Sequence, residues 1–221
     1  MAIFIDSSNL EEIKEISNWS ILSGVTTNPK ILASDPTLSS VRARILEIMD
    51  VCSGPISVEL TSDESGEMVR EASEYVSWNP QRIVIKIPIG SAGLKVAKIL
   101  TQEHKFKVNI TAVMSFNQAY LACLAAATYV SIFWGRIKDM GYDPSSIVLK
   151  VREMIDREKL GTKIIVGSLR QVTDVNEALS AGAHIATVPP EILRKMTWNP
   201  QTDATINEFN RSWEKSISEK D

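Results

Sequence analysis

The sequence predicts a closed (β/α)8 barrel with an additional C-terminal helix, and three observations carry that prediction. Eight short runs of apolar and β-branched residues recur along the chain, separated by longer helical patterns. Most runs are nearly continuous in apolar residues, as in parallel strands covered on both faces. No Gly-rich phosphate-binding turn follows the first run, which removes one reason to prefer an open, doubly wound sheet. The open sheet is the alternative, but eight β–α units in a row favour closure. All 221 residues then form one domain, residues 1–221, near the usual size of such a TIM barrel.

The strands are expected at Ile3–Ile5, Gly24–Thr26, Ile56–Leu60 and Ile83–Ile87, then Val108–Thr111, Tyr129–Phe133, Lys163–Val166 and Ile185–Val188. The second is weakest in propensity because of Gly24. Ser8-Asn9-Leu10-Glu11 reads as a capping box that opens a helix with Leu10, Ile13 and Ile16 on its apolar stripe. Further stripes are Val41, Ile45 and Ile48; Leu94, Ala97 and Leu100; Val148, Val151 and Ile155; and Val175 to Leu179. Tyr120 to Ala127 is Ala-rich and strongly helical. After the eighth strand comes a last helix with Ile206, Phe209, Trp213 and Ile217 on one face.

Composition narrows the function. A chain of 221 residues, 44% hydrophobic and 23% charged, buries enough surface to fold without a disulfide or metal staple. Its two cysteines, Cys52 and Cys123, lie in apolar stretches and read as reduced core thiols, which suits a cytoplasmic protein. The start, Met1-Ala2-Ile3-Phe4-Ile5-Asp6, lacks the basic region and long apolar core of a signal peptide. No apolar run reaches spanning length, so no spanning helix is expected, and the net charge of −3 argues against an anionic membrane as partner. A net charge of −3 with interspersed bases argues against nucleic acid. His104 and His184 show no ligand spacing with Cys or acids, so no metal is expected.

The functional signal is the polar residue at the end of each apolar run, because barrels of this class collect catalytic groups from several strand ends. Asp6 ends the first run, Asn28 follows the second, and Glu59 sits near the end of the third. Lys86 lies between Ile85 and Ile87. Asn109 and Thr111 alternate in the fifth, Ser131 lies in the sixth, and Ser168 and Arg170 follow the seventh. Lys86 is either a snorkelling or ion-paired lysine or an amine made nucleophilic by desolvation, as in Schiff-base enzymes. Asp6 and Glu59 read as acid–base groups or as ion-pair partners. Asn28, in Thr26-Thr27-Asn28-Pro29, reads equally as turn chemistry. Arg136 and Arg170 suit an anion clamp, although each alone also reads as a surface ion-pair residue.

Together these segments resemble the transaldolase family, and within it the small single-domain branch that also contains fructose-6-phosphate aldolase. The likeness runs along nearly the whole chain. Phe4-Ile5-Asp6-Ser7, Gly24-Val25-Thr26-Thr27-Asn28-Pro29, Val84-Ile85-Lys86-Ile87-Pro88 and Asn109-Ile110-Thr111-Ala112-Val113 carry it. So do Ser131-Ile132-Phe133-Trp134-Gly135-Arg136-Ile137 and Gly167-Ser168-Leu169-Arg170. The resemblance implies that Lys86 forms the Schiff base and that Asp6 takes the C4 hydroxyl proton. It also implies that Glu59, with Thr111 and a water, handles protons during imine formation and hydrolysis. It implies that Asn28, Asn109 and Ser131 hold the donor's hydroxyls and that Arg136, Ser168 and Arg170 hold phosphate. Sugar phosphates are the implied substrates, with no cofactor, and the small branch assembles as pentamer-based rings, so a homo-oligomer (pentamer or decamer) is expected. Glu59 and Phe133 follow the transferase pattern of the family, where its aldolases carry Gln and Tyr. A lyase, or a biosynthetic relative with an unusual acceptor, shares the remaining motifs. A non-catalytic phosphate-binding barrel would keep the arginines but have no use for Lys86. Two departures are Trp134, expected to reshape the acceptor side, and Asn199-Pro200-Gln201 before the last helix.

Overall fold

In a computed structural model describing residues 1–218, eight parallel strands close into a barrel in sequence order, with β1 pairing both β2 and β8. The first half runs β1 (Ala2–Asp6), α1 (Leu10–Ser17), β2 (Leu22–Thr26), α2 (Pro29–Ala33), α3 (Val41–Val51), β3 (Ile56–Glu59), α4 (Ser65–Trp78) and β4 (Ile83–Pro88). There follow α5 (Ser91–Gln102), β5 (Val108–Val113), α6 (Phe116–Leu124), β6 (Tyr129–Phe133), α7 (Trp134–Asp139) and α8 (Pro144–Arg157). The circuit ends with β7 (Lys163–Gly167), α9 (Val172–Ser180), β8 (Ile185–Val188), α10 (Pro190–Thr197) and α11 (Pro200–Ser218). The expected barrel with its added helix is therefore the fold. No helix among the described residues is long and apolar enough to cross a membrane.

Strand alternation divides the core in two. Ile5, Val25, Ile56, Ile83, Ile85, Ile87 and Val108 point outward and join the helices in one large apolar cluster. Phe4, Ile165 and Ile185, with Ala2 and Tyr129 against them, form a separate small cluster. The Phe4 and Tyr129 rings meet edge-on at 6.3 Å although β1 and β6 are not neighbours, so this cluster plugs the barrel interior. Gly24 now has a reason. A Cβ there would lie 2.6 Å from the Phe4 ring, so the strand gives up propensity to admit the plug.

Local details differ from expectation. The capping box at Ser8 does not form. Asn9 caps α1 instead, accepting from the amides of Glu11 and Glu12. The Ser8 hydroxyl donates to the Ile31 carbonyl and to Asp35, and Glu11 is drawn to Lys14 at 2.9 Å. The Ala-rich helix is α6, which starts at Phe116 and stops at Leu124, because Ala126 adopts φ 57° and turns the chain into β6. Helices α2, α4, α7 and α10 complete the set; α4 occupies a segment in which no stripe had been singled out. Both cysteines are free and buried. No residue of α11 is buried.

Candidate active site

The strand phase that turns Phe4 inward turns Asp6 inward two residues later, and so for every strand. Above the apolar plug the interior becomes polar: Thr26, Ser57, Lys86, Asn109, Ser131 and Thr187 are all buried. A cavity of about 710 Å³ opens over them at the C-terminal ends of the strands, lined by Asp6, Asn28, Glu59, Lys86, Ser131, Phe133, Arg136, Ser168 and Thr187 among others.

Lys86 is held by register. Parallel pairing sets Glu59 opposite Lys86 and Lys86 opposite Asn109, so all three share the inward face. The Lys86 ammonium lies 2.9 Å from Glu59 Oε2 and donates to the Thr27 carbonyl at 3.0 Å. Side-chain exposure is 4% for Lys86 and 16% for Glu59. The plainer reading of the strand, an ion-paired lysine, is thus correct as geometry, but the pair stands inside the cavity. Removing either partner would strand a charge in a poorly hydrated place.

Asp6 shares that cavity. Register pairs it with Thr26, whose hydroxyl lies 2.6 Å from Asp6 Oδ1 and 2.5 Å from the Thr187 hydroxyl. With Thr26 donating to Asp6, Thr187 donates to Thr26 and closes a short relay. Burial raises the Asp6 carboxyl above its ordinary range, against the opposing pulls of the Lys86 charge and the Thr26 hydrogen bond. A carboxyl raised in this way is suited to proton transfer.

Asn109 is fully buried beneath the cavity floor, where it accepts from Ser131 at 2.7 Å and donates to Ser57 at 3.3 Å. It therefore fixes Ser131, which does line the cavity. Thr111 is also buried, and its hydroxyl has no partner among the described residues. Asn28 serves both readings offered for it: its Oδ1 caps α2 by accepting from Ile31 at 2.9 Å, and the residue borders the cavity.

The β6–β7 side differs in kind. Arg136 stands on α7 and borders the cavity, with a side chain 60% exposed. Arg170, 50% exposed, does not line it; both of its terminal nitrogens bond Asp139 at 2.6 Å. Close packing brings these elements together: a Cβ on Gly135 would sit 2.5 Å from the Ser168 carbonyl and 2.8 Å from Arg170 Nε. Asp174 pins the turn by accepting from the amides of Arg170 and Gln171 and from Lys138. Burial would raise its carboxyl, but those donors outweigh burial and hold it low.

Trp134 corrects an expectation. It is fully buried in the outer apolar cluster and absent from the cavity wall, because the chain turns from β6 into α7 just there. Thr26 and Thr187 went unnoticed as site residues, although each sits two positions beyond an inward-facing residue of its strand, Gly24 and Ile185. Asp139 carried no such signal, since its partner Arg170 comes from a distant turn, whereas Asp174 is the local capping residue of α9, three residues beyond Gln171.

Known proteins resemble the chain over its full length. A sequence model described as transaldolase/fructose-6-phosphate aldolase matches residues 3–220. A protein named "Probable transaldolase" from Alkaliphilus metalliredigens is 42% identical over 214 residues, covering 97% of this chain and 98% of its own. Another of that name, from Pelotomaculum thermopropionicum, is 41% identical with 97% and 98% covered. A third, from Heliobacterium modesticaldum, is 40% identical with both chains covered completely.

Proposed function

The chain belongs to the transaldolase/fructose-6-phosphate aldolase family, and from that premise we propose that it transfers a dihydroxyacetone unit between sugar phosphates through a Schiff base on Lys86. One observation carries the reading: a buried lysine amine inside a barrel mouth, 2.9 Å from Glu59 and sharing its cavity with Asp6. In the proposed direction, sedoheptulose 7-phosphate and glyceraldehyde 3-phosphate give erythrose 4-phosphate and fructose 6-phosphate. The two reduced thiols suit action in the cytoplasm.

Each residue has a role in this scheme. Lys86, after passing a proton to Glu59, attacks the C2 ketone of the donor to form a carbinolamine. Glu59 returns a proton to the leaving hydroxyl and water departs, leaving the protonated imine. Asp6 then takes the C4 hydroxyl proton, the C3–C4 bond breaks, and its electron pair moves into the imine to give an enamine. The aldose phosphate leaves. An incoming aldehyde is attacked by the enamine carbon while Asp6 returns its proton to the new hydroxyl, and hydrolysis frees Lys86. The imine supplies the electron sink, so the scheme uses no metal or cofactor. Asn28 and Ser131 would hold donor hydroxyls, with Asn109 orienting Ser131 and Thr111 meeting the water that Glu59 handles. Arg136, Ser168 and Arg170 would grip phosphate, whose binding away from the reacting carbons can be used for orientation.

Borohydride added with fructose 6-phosphate should leave a reduced three-carbon adduct on Lys86. Peptide mapping that finds the label on another lysine would reject the scheme.

The same reading extends to assembly. Ile206, Phe209, Trp213 and Ile217 of α11 are all substantially exposed, an apolar stripe that its own barrel does not cover. We place this helix against a neighbouring copy in a pentamer-based ring. Light scattering at micromolar concentration should return a multiple of the subunit mass; a monomer would exclude it.

A further inference from the structure

We propose that Asp139 is an internal counter-anion, occupying the guanidinium that grips phosphate and so setting how strongly phosphorylated substrates are preferred. The inference rests on the reading of Arg136 and Arg170 as phosphate-holding residues. Asp139 ends α7, one turn beyond Arg136. Its Oδ1 accepts from one terminal nitrogen of Arg170 and its Oδ2 from the other, each at 2.6 Å. That paired edge is the one a guanidinium offers to phosphate. Arg136 Nη1 lies 3.9 Å from the same carboxylate, so both arginines of this wall face one aspartate.

The pairing is built to exchange. Asp139 is 44% exposed and Arg170 50%, so their bond forms in well-hydrated surroundings and opens at little cost. Arg170 holds the Asp139 carboxyl below its ordinary range, chiefly by hydrogen bonding, so protonation does not release it near neutrality. A competing anion must do so. A phosphate monoester, with nearly two charges and three acceptor oxygens, outcompetes a carboxylate for two arginines; a free sugar does not. The backbone need not move, because Asp174 holds the amides of Arg170 and Gln171 independently of Asp139. Only the Arg170 side chain turns, from Asp139 toward the cavity that Arg136 and Ser168 already line.

The test is Asp139→Asn in the full chain, with Asp139→Ser as a second substitution should the first fail to fold. The KM for fructose 6-phosphate should fall roughly two- to fivefold, the range of an exposed ion pair. The Ki of inorganic phosphate as competitive inhibitor should fall by the same factor, while the KM for free fructose stays put. In an Arg170→Ala background, the Asp139 substitution should have a much smaller effect, since only the 3.9 Å pairing with Arg136 is left to release. A KM and Ki that stay the same or rise in Asp139→Asn would mean that Asp139 orients Arg170 for phosphate, which overturns the proposal. If Arg170→Ala itself leaves the preference for phosphorylated substrate intact, the phosphate site is misassigned. If Arg170→Ala loses that preference but Asp139→Asn tightens nothing, only the counter-anion fails.

Discussion

The two walls of the cavity are built on different terms. On the β1–β4 side, Asp6, Glu59 and Lys86 project from strands, are largely withdrawn from water, and are held by register to neighbours that fix their distances. On the β6–β7 side, Arg136 and Arg170 come from a short helix and a turn, stay half-exposed, and pair with an aspartate in solvent reach. Groups that must share and pass protons need fixed distances and low hydration, which strand interiors supply. Groups that must take up and release a charged end of substrate need exchangeable partners, which the surface supplies. Substitutions on the first wall should therefore change chemistry and its pH dependence. Those on the second should change only which substrates are accepted.

The largest effect expected is from Asp6. Asp6→Asn keeps the shape but cannot take the hydroxyl proton, and kcat should fall about 10²- to 10⁴-fold. The pH dependence follows from the direction of its shift. Burial raises the carboxyl, so it stays protonated, and useless as a base, to a higher pH than a free aspartate. The acid limb of kcat/KM should lie above the ordinary carboxylate range. Thr26→Val removes a hydrogen bond that lowers it and should push the limb higher still. The folded state also binds this proton more tightly than the unfolded chain. That favourable contribution is full at low pH and is lost as pH rises through the folded pKa. Asp6→Asn should therefore raise the melting temperature at neutral pH while abolishing turnover. A Thr26→Val limb that does not move would mean that the strand wall does not tune its acid–base group.

The opposite wall should answer differently. Arg170→Ala should weaken phosphorylated substrates roughly tenfold to a hundredfold, through loss of charge-assisted hydrogen bonds, and leave free fructose nearly untouched. Its pH profile should overlay that of the parent enzyme. Equal losses for both sugars, read from kcat/KM on each, would make Arg170 a structural residue and erase the contrast between the walls.

How much of this was legible in the sequence divides along the same line. The strand wall was legible, because period-two alternation places Asp6, Glu59 and Lys86 in phase with their barrel, and a lysine amid isoleucines has few places to go. The strand ends fell within two residues of expectation, with β2 starting two residues earlier at Leu22 and β5 running on two residues to Val113. Alternation did not reveal why β2 tolerates Gly24, since the Phe4 plug that requires it comes from another strand. Nor did it locate the partners of Arg170, because helix and turn side chains follow no common phase with a neighbouring strand. The Ser8 capping box failed for a related reason. Ser8 had a better partner in Asp35, brought close only by tertiary structure.

The smallest effect, at Phe133, bears on which reaction the strand wall completes. Phe133 is half-buried at the end of β6 and borders the cavity that holds Lys86. Its ring offers no proton, so the enamine on Lys86 should wait for an aldehyde rather than collapse. With fructose 6-phosphate as donor, erythrose 4-phosphate as acceptor should strongly raise turnover over acceptor-free cleavage. Phe133→Tyr places a hydroxyl in the pocket, where it can hold water against the enamine carbon and favour its protonation. Free dihydroxyacetone release should then rise about tenfold relative to transfer, which needs only about 1.4 kcal/mol between two barriers, within the reach of one hydrogen bond. Glu59→Gln should add to the shift. Partition is read by assaying dihydroxyacetone and transferred product in the same tube. Should the parent enzyme release dihydroxyacetone as fast without acceptor as it transfers the unit with one, Phe133 is not the group that withholds the proton, and the enzyme is a lyase.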